Sequence, residues 1–189
     1  MMLIKRDDFV VFLKMVFLAL FMVSTSFGVA QTCLKTLKPT TSHLIDNHNG
    51  TVNDPKTGLI WKKCSEGQSY NHTTNSCDDE QGTYTWLAVL QQAQLVNASD
   101  SDLSKNVGYT DWRVPNINEL TSIVELSCYY PAINQLVFSN MGVDDFYWSS
   151  SPGIIANGYS WALKFDNGKE NLIDQRHKLS VRLVRNKKG

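Results

Sequence analysis

Nine consecutive apolar residues, Met15 to Val23, stand near the start of the chain. Lys5 and Arg6 precede them, Lys14 abuts them, and polar Ser24, Thr25 and Ser26 follow. Gly28 and Ala30 then take the −3 and −1 positions of a cut before Gln31. A positive start, a short apolar run and a small-residue cut define a secretory signal. The run is too short to span a bilayer, which takes about 20 residues. Residues 1–30 are therefore expected to be a cleaved signal peptide. The rival is an uncleaved anchor, in which Val10 to Leu13 extend the run across Lys14, and Asp7 and Asp8 disturb the positive start. A lipoprotein is rejected because Ala30-Gln31-Thr32, ahead of Cys33, lacks the aliphatic and small residues a lipobox needs.

The pattern then changes. Residues 31–43 are polar and irregular, with Pro39 among Thr and Ser, and read as an N-terminal tether to a domain spanning 44–189. Asn49-Gly50 signals a hairpin. Thr51-Val52-Asn53 and Leu59-Ile60-Trp61 flank a second turn at Asp54 to Gly58, predicting short strands. Trp86, Val89, Leu90, Ala93 and Val96 recur at helical spacing, with Thr85 placed to cap, and predict a first helix from Trp86 to about Asn97. Asn116 followed by Glu119 forms a capping box, and Pro115 fixes the approach. A second helix is expected from Ile117 to about Ser127, burying Ile117, Leu120, Ile123, Val124 and Cys128. Beyond Pro131 the pattern turns to strands: Phe146-Tyr147-Trp148, Tyr159 to Phe165 ending in the turn Asp166-Asn167-Gly168, a return from Leu172, and an alternating last strand from Leu179 to Arg185. Two helices among short, mainly antiparallel strands define an α+β class.

Charge excludes one class of partner. The chain has 18 basic and 18 acidic residues, and removal of the leader leaves 15 and 16. A nucleic-acid partner, which calls for a basic domain, is not expected. No second apolar run is long enough to span a membrane, so no stable insertion is expected once the leader is cut.

Four cysteines, Cys33, Cys64, Cys77 and Cys128, all follow the leader. An even count in an exported chain argues for disulfides, with three pairings open. Cys64–Cys77 is favoured because a short, polar, turn-rich segment separates them, which leaves Cys33 for Cys128. Zinc is the weaker alternative: there is no Cys-x-x-Cys, and His43, His48, His72 and His177 are scattered.

Several blocks in order carry a resemblance. They are Asn49-Gly50-Thr51-Val52 with Thr57-Gly58-Leu59-Ile60-Trp61, then Tyr84-Thr85-Trp86, then Gly108 to Asn116 (Gly-Tyr-Thr-Asp-Trp-Arg-Val-Pro-Asn) with Glu119-Leu120, then Tyr147-Trp148-Ser149-Ser150, and Val181-Arg182-Leu183-Val184-Arg185. Over roughly residues 44–187 the chain resembles the C-terminal domain family of the Legionella collagen-like adhesin. The resemblance implies a fold similar to C-type lectins and to the formylglycine-generating enzymes. The namesake domain binds sulfated glycosaminoglycans and supports adhesion, so the resemblance implies a secreted or surface-exposed binding module. The collagen repeat of the namesake is missing, and trimerisation through such a stalk is not implied. The enzymes of this fold use a cysteine pair, and with no cysteine after Cys128 their activity is not carried over.

The residues themselves offer little chemistry. Arg113 and Arg182 read as scaffold arginines, with Asp111 and Glu119 as partners. Gly158-Tyr159-Ser160-Trp161-Ala162, with Asp174 and His177 downstream, has the outline of a nucleophile elbow but no helix follows the serine. Asp46-Asn47-His48-Asn49-Gly50 lacks the alternating acidic ligands of a calcium loop. Asn49, Asn71 and Asn97 open glycosylation sequons that matter only in a glycosylating host. No catalytic residue, cofactor or metal is expected. One charge cluster stands out: Arg176, His177, Lys178, Arg182, Arg185, Lys187 and Lys188. Clustered cations bind dense polyanions through charge-assisted hydrogen bonds. Arg176, Lys178, Arg185, Lys187 and Lys188 are the candidate ligand contacts, against the alternative of a charged edge strand and a frayed tail. The expected partner is an extracellular polysaccharide or a surface protein, and the alternative function is a structural component of a surface assembly such as a pilus or matrix.

Overall fold

A computed structural model describes residues 30–98, 107–141, 146–154 and 157–187. The predicted turns form. Gly58 at φ 69° and Gly168 at φ 73° sit in the left-handed region, which glycine enters without a Cβ penalty. Their N–H groups close the turns onto the Asp54 and Lys164 carbonyls at 2.9 Å each.

The first turn joins β3 (Thr51–Asp54) to β4 (Leu59–Lys62). With β2 (Ile45–Asp46) and β11 (Val184–Asn186) they make an antiparallel sheet of order β11-β4-β3-β2. The second joins β9 (Tyr159–Lys164) to β10 (Lys169–Asp174), and β8 (Phe146–Pro152) completes a sheet of order β10-β9-β8. Two small ladders pair β5 (Ser69–Asn71) with β6 (Ser76–Asp78), and β1 (Thr32–Cys33) with β7 (Cys128–Tyr129).

Helix α1 (Trp86–Ala98) buries Val89, Ala93 and Val96 against Trp148, Ala162 and Leu183, with Trp86 and Leu90 half-buried at its margin. Asn97 locks its last turn, accepting from the Trp112 N–H and donating to the Trp112 carbonyl, both at 2.8 Å. Helix α2 carries the capping box: the Asn116 side chain accepts from the Glu119 N–H, and the Glu119 carboxylate accepts from the Asn116 N–H. It is shorter than expected, Ile117–Thr121. Val124 leaves the helical path to bridge Ile133, and Glu125 turns its carboxylate onto Thr40, Thr41 and Ser127. Leu120, Ile123 and Val124 are buried as expected, while Ile117 and Cys128 are only partly so.

The last segment also departs from one alternating strand. Leu179 bridges Tyr84, Ser180 bridges Tyr147 in parallel, and only Val184–Asn186 forms β11. Residues 179–183 pass between the two sheets: the Val181 carbonyl accepts from Glu66 N–H, and that of Leu183 from Lys62 N–H. Val181 and Leu183 pack with α1, whereas Val184 packs with Trp61 and Phe165. The intervening polar side chains are buried too, Arg182 completely. Its guanidinium donates to the Lys62 and Lys63 carbonyls and to Ser65, and lies 4.7 Å from the Phe138 ring centroid. Burial pulls its pKa down, and Tyr147 and Glu66 oppose that fall.

Both disulfides are Cys64–Cys77 and Cys33–Cys128. The first is buried beside Tyr70. The second holds β1 on β7. Residues 31–43 are therefore stitched down: Gln31 donates to the Pro131 and Ile133 carbonyls at 2.7 Å, and Thr40 and Thr41 engage Glu125. No helix among the described residues is long and apolar enough to cross a membrane.

Candidate ligand-binding surface

The turn that ends β10 gathers part of the charge cluster. Arg176 donates from Nη2 to Asp174 Oδ2 at 2.5 Å and from Nε to Oδ1 at 3.0 Å, and its backbone N–H donates to the same carboxylate at 2.9 Å. These bonds hold the Asp174 carboxyl well below the usual carboxylate range. His177 N–H closes the turn on the Asp174 carbonyl at 2.9 Å. Asp174, Arg176 and His177 line a shallow recess of about 230 Å³.

Gln175 fixes this turn to the fold. Its N–H donates to Gly158, its side chain to the Tyr159 carbonyl and Ser160 Oγ, and its carbonyl accepts from Trp86 N–H. The exposed turn Arg176-His177-Lys178 is thereby set beside Tyr159, itself 39 % exposed, and the half-buried start of α1. An aromatic ring beside cations suits a sugar face flanked by acidic groups. Neither Gln175 nor Tyr159 was identifiable as part of the surface from sequence, because each is placed there by cross-strand contacts.

The other cations do not converge here. Arg185 is corrected from ligand contact to scaffold: it is buried, donating to Asp111 at 2.6 and 3.1 Å and stacking 4.0 Å from the Tyr109 ring centroid. Asp111 thus serves Arg185, and Glu119 serves Arg113 through two bonds of 2.7 and 2.8 Å. Lys187 is exposed, but its N–H bonds the Gly58 carbonyl at the β3–β4 turn, in the other sheet. Lys188 lies outside the described residues, as do the residues before Ala30 that were expected to form a signal peptide.

The remaining sequence candidates also find places. Ser160 is buried inside β9, with its hydroxyl bonded to Gln175. Asp46 bonds Lys63 at 2.6 Å and Asn75 at 2.9 Å. Among the described residues no group of His, Cys, Asp and Glu is arranged to hold a metal ion. Trp61, Trp112 and Trp148 are buried, and Trp86 and Trp161 half-buried.

Taken together, the described residues form a mixed α/β domain of mainly antiparallel strands with two short helices and two disulfides. Residues 50–185 match the Lcl C-terminal domain, and the chain belongs to that family. No curated protein matches it.

Proposed function

We propose that the protein is an exported, surface-exposed binding module of C-type-lectin-like architecture that recognises an anionic polysaccharide, and not a catalyst. The observation that carries this reading is the exposed turn Arg176-His177-Lys178 held rigidly beside Tyr159 by Gln175. A rigid site loses little conformational freedom on binding. Because Asp174 offsets Arg176, Lys178 supplies the net attraction. The signal-like leader and the two disulfides support an oxidising, extracytoplasmic location, secreted, periplasmic or at the cell surface.

Chromatography on immobilised heparin, followed by a glycan array, tests the reading. The protein is expected to be retained at low salt and to elute earlier with R176Q/K178Q, while K187Q elutes with the wild type. Absence of retention together with an empty array would overturn it.

A second reading has its own observation. β10 is an edge strand of the three-stranded sheet, and its first residues, Lys169, Glu170 and Asn171, are exposed. A strand from another protein added along that edge would make the domain a structural or protein-binding part of a surface assembly. Pull-down from an envelope fraction, lost on substitution of proline at Asn171, would favour it.

A further inference from the structure

At the other end of the β9–β10 hairpin the surface has a different character. The open end meets Gln175 through Gly158, whereas the closed end, Phe165 and Asp166, accepts from the N–H groups of Ala132 and Tyr130. Around that closed end, Leu34, Leu37, Leu44, Ile133 and Leu136 line a groove of about 790 Å³ backed by the Cys33–Cys128 disulfide. Leu136 is 91 % exposed, Leu126 69 %, Leu34 51 % and Leu37 49 %, and Tyr129 and Tyr130 are each 41 % exposed. A cluster of exposed large apolar side chains rimmed by polar residues marks a surface that something covers.

Its charges show what covers it. Lys35 and Lys38 alternate with Leu34 and Leu37 and are exposed. The stretches that build the face, 30–45 and 126–141, contain no acidic residue. The neighbouring acids are already engaged: Glu125 is buried with its carboxylate on Thr40, Thr41 and Ser127, Asp166 is buried and paired with Lys164, and Asp46 is paired with Lys63. We propose that this face docks on an anionic lipid surface. Leu34, Leu37, Leu126 and Leu136 enter the acyl boundary, Tyr129 and Tyr130 lie at headgroup level, and Lys35 and Lys38 meet the lipid phosphates.

Gln31 is bolted to the groove rim through the Pro131 and Ile133 carbonyls, which fixes the N-terminal side of this face. A second copy of the chain fits worse, because a two-fold contact would set lysines against lysines with no acid to pair them. Docked this way, the protein holds the turn at Arg176 away from the bilayer by the length of a six-residue strand, roughly 20 Å.

Vesicle sedimentation of the protein as released by an exporting host tests the proposal, with wild type and variants confirmed in the same processed form by intact mass. Wild type is expected to sediment with phosphatidylcholine vesicles carrying one third phosphatidylglycerol and much less with phosphatidylcholine alone. K35Q and K38Q should each weaken binding about fivefold. L34S/L136S should weaken it at least tenfold with an unchanged circular dichroism spectrum, and L87S, an exposed leucine on α1, should leave it unchanged. Failure of wild type to sediment with either vesicle would overturn the proposal, as would an equal loss with L87S. A lipid-free dimer dissociated by L34S/L136S would give the face to a second copy instead.

Discussion

Arg185 stacks 4.0 Å from the centroid of the Tyr109 ring while its Nε and Nη2 hold Asp111. One side chain thus ties β11 to the loop that leads into Trp112 and Arg113. Arg113 in turn bridges to Val184 through paired backbone bonds of 2.9 Å and grips Glu119 at the start of α2. The two arginines brace the same junction from its two faces, which is a structural use of charge and leaves neither at the proposed ligand surface.

Arg185→Ala removes a charge-assisted bond and a stacked cation, and should cost about 2–3 kcal/mol. At this chain length that lowers the melting temperature by about 4–12 °C. Arg185→Lys should recover less than half, because an ammonium cannot reproduce the two-pronged grip. Retention on heparin should not change in either variant at a temperature where both are folded. Thermal melts followed by circular dichroism, paired with the column, check both statements.

Asn97 makes an analogous brace from the last turn of α1, where its amide bonds both backbone groups of Trp112. Asn97→Ala leaves that N–H and carbonyl without these partners beside a buried indole, at a cost of about 1–3 kcal/mol. Asn97→Asp keeps the acceptor and loses the donor, so it should fall between the two. Urea melts would resolve the order. The same bonds make Asn97 a poor glycan acceptor in the folded domain, unlike exposed Asn49.

Glu125 gives the domain an acid limb. Burial pushes its carboxyl up, but bonds from Ser127, Thr41 and Thr40 outweigh it and hold the pKa at about 2, against 4.5 unfolded. A depressed carboxylate contributes stability that is fully present above the unfolded value and fades as pH falls towards the folded one. The contribution is on the order of 3 kcal/mol at neutral pH and should drain away between about pH 4.5 and pH 2. Glu125→Gln should lower stability at pH 7 and flatten that limb. Melting temperatures of both proteins across pH 2–7 provide the check, and parallel curves would contradict the assignment.

Local signals were legible in the sequence because they act over a few residues: the turns at Gly58 and Gly168, the capping box of Asn116 and Glu119, and the apolar stripe of α1. The failures share a cause. Alternation from Leu179 to Arg185 implied one wet face, yet both faces are buried, and the carbonyls that receive Arg182 lie about 120 positions earlier. Arg185 looked like a surface cation because its acceptor, Asp111, is 74 residues away. The end of α2 was overrun because Glu125, a good helix former, is claimed by Thr40 and Thr41 from a segment that reads as an unattached tether. At the candidate surface, the cations at Arg176 and Lys178 were visible, but the ring of Tyr159 and the knot of Gln175 come from strand register.

The two disulfides should differ in the opposite sense to their loop lengths. Chain entropy favours the longer closure: about 3 kcal/mol for a loop the size of Cys64–Cys77 and about 4.7 for one near that of Cys33–Cys128. That estimate holds when breaking the link unfolds the whole domain. Cys64 and Cys77 are buried with Tyr70, and the chain between them carries β5 and β6. Cys33 sits in an exposed two-residue strand on the surface, and residues 30–38 are held besides by Gln31 and by the Leu34 N–H bonded to the Ser127 carbonyl. Cys33→Ala/Cys128→Ala should therefore loosen the N-terminal segment locally, with hydrogen exchange rising over residues 32–38 and little loss in the global melt. Cys64→Ala/Cys77→Ala should lower the global melt by about 6–16 °C, the counterpart of 3–4 kcal/mol in a domain of this size. If the surface link is instead the costlier one, the N-terminal segment belongs to the cooperative core. Its leucines would then owe their exposure to that packing and not to a lipid surface.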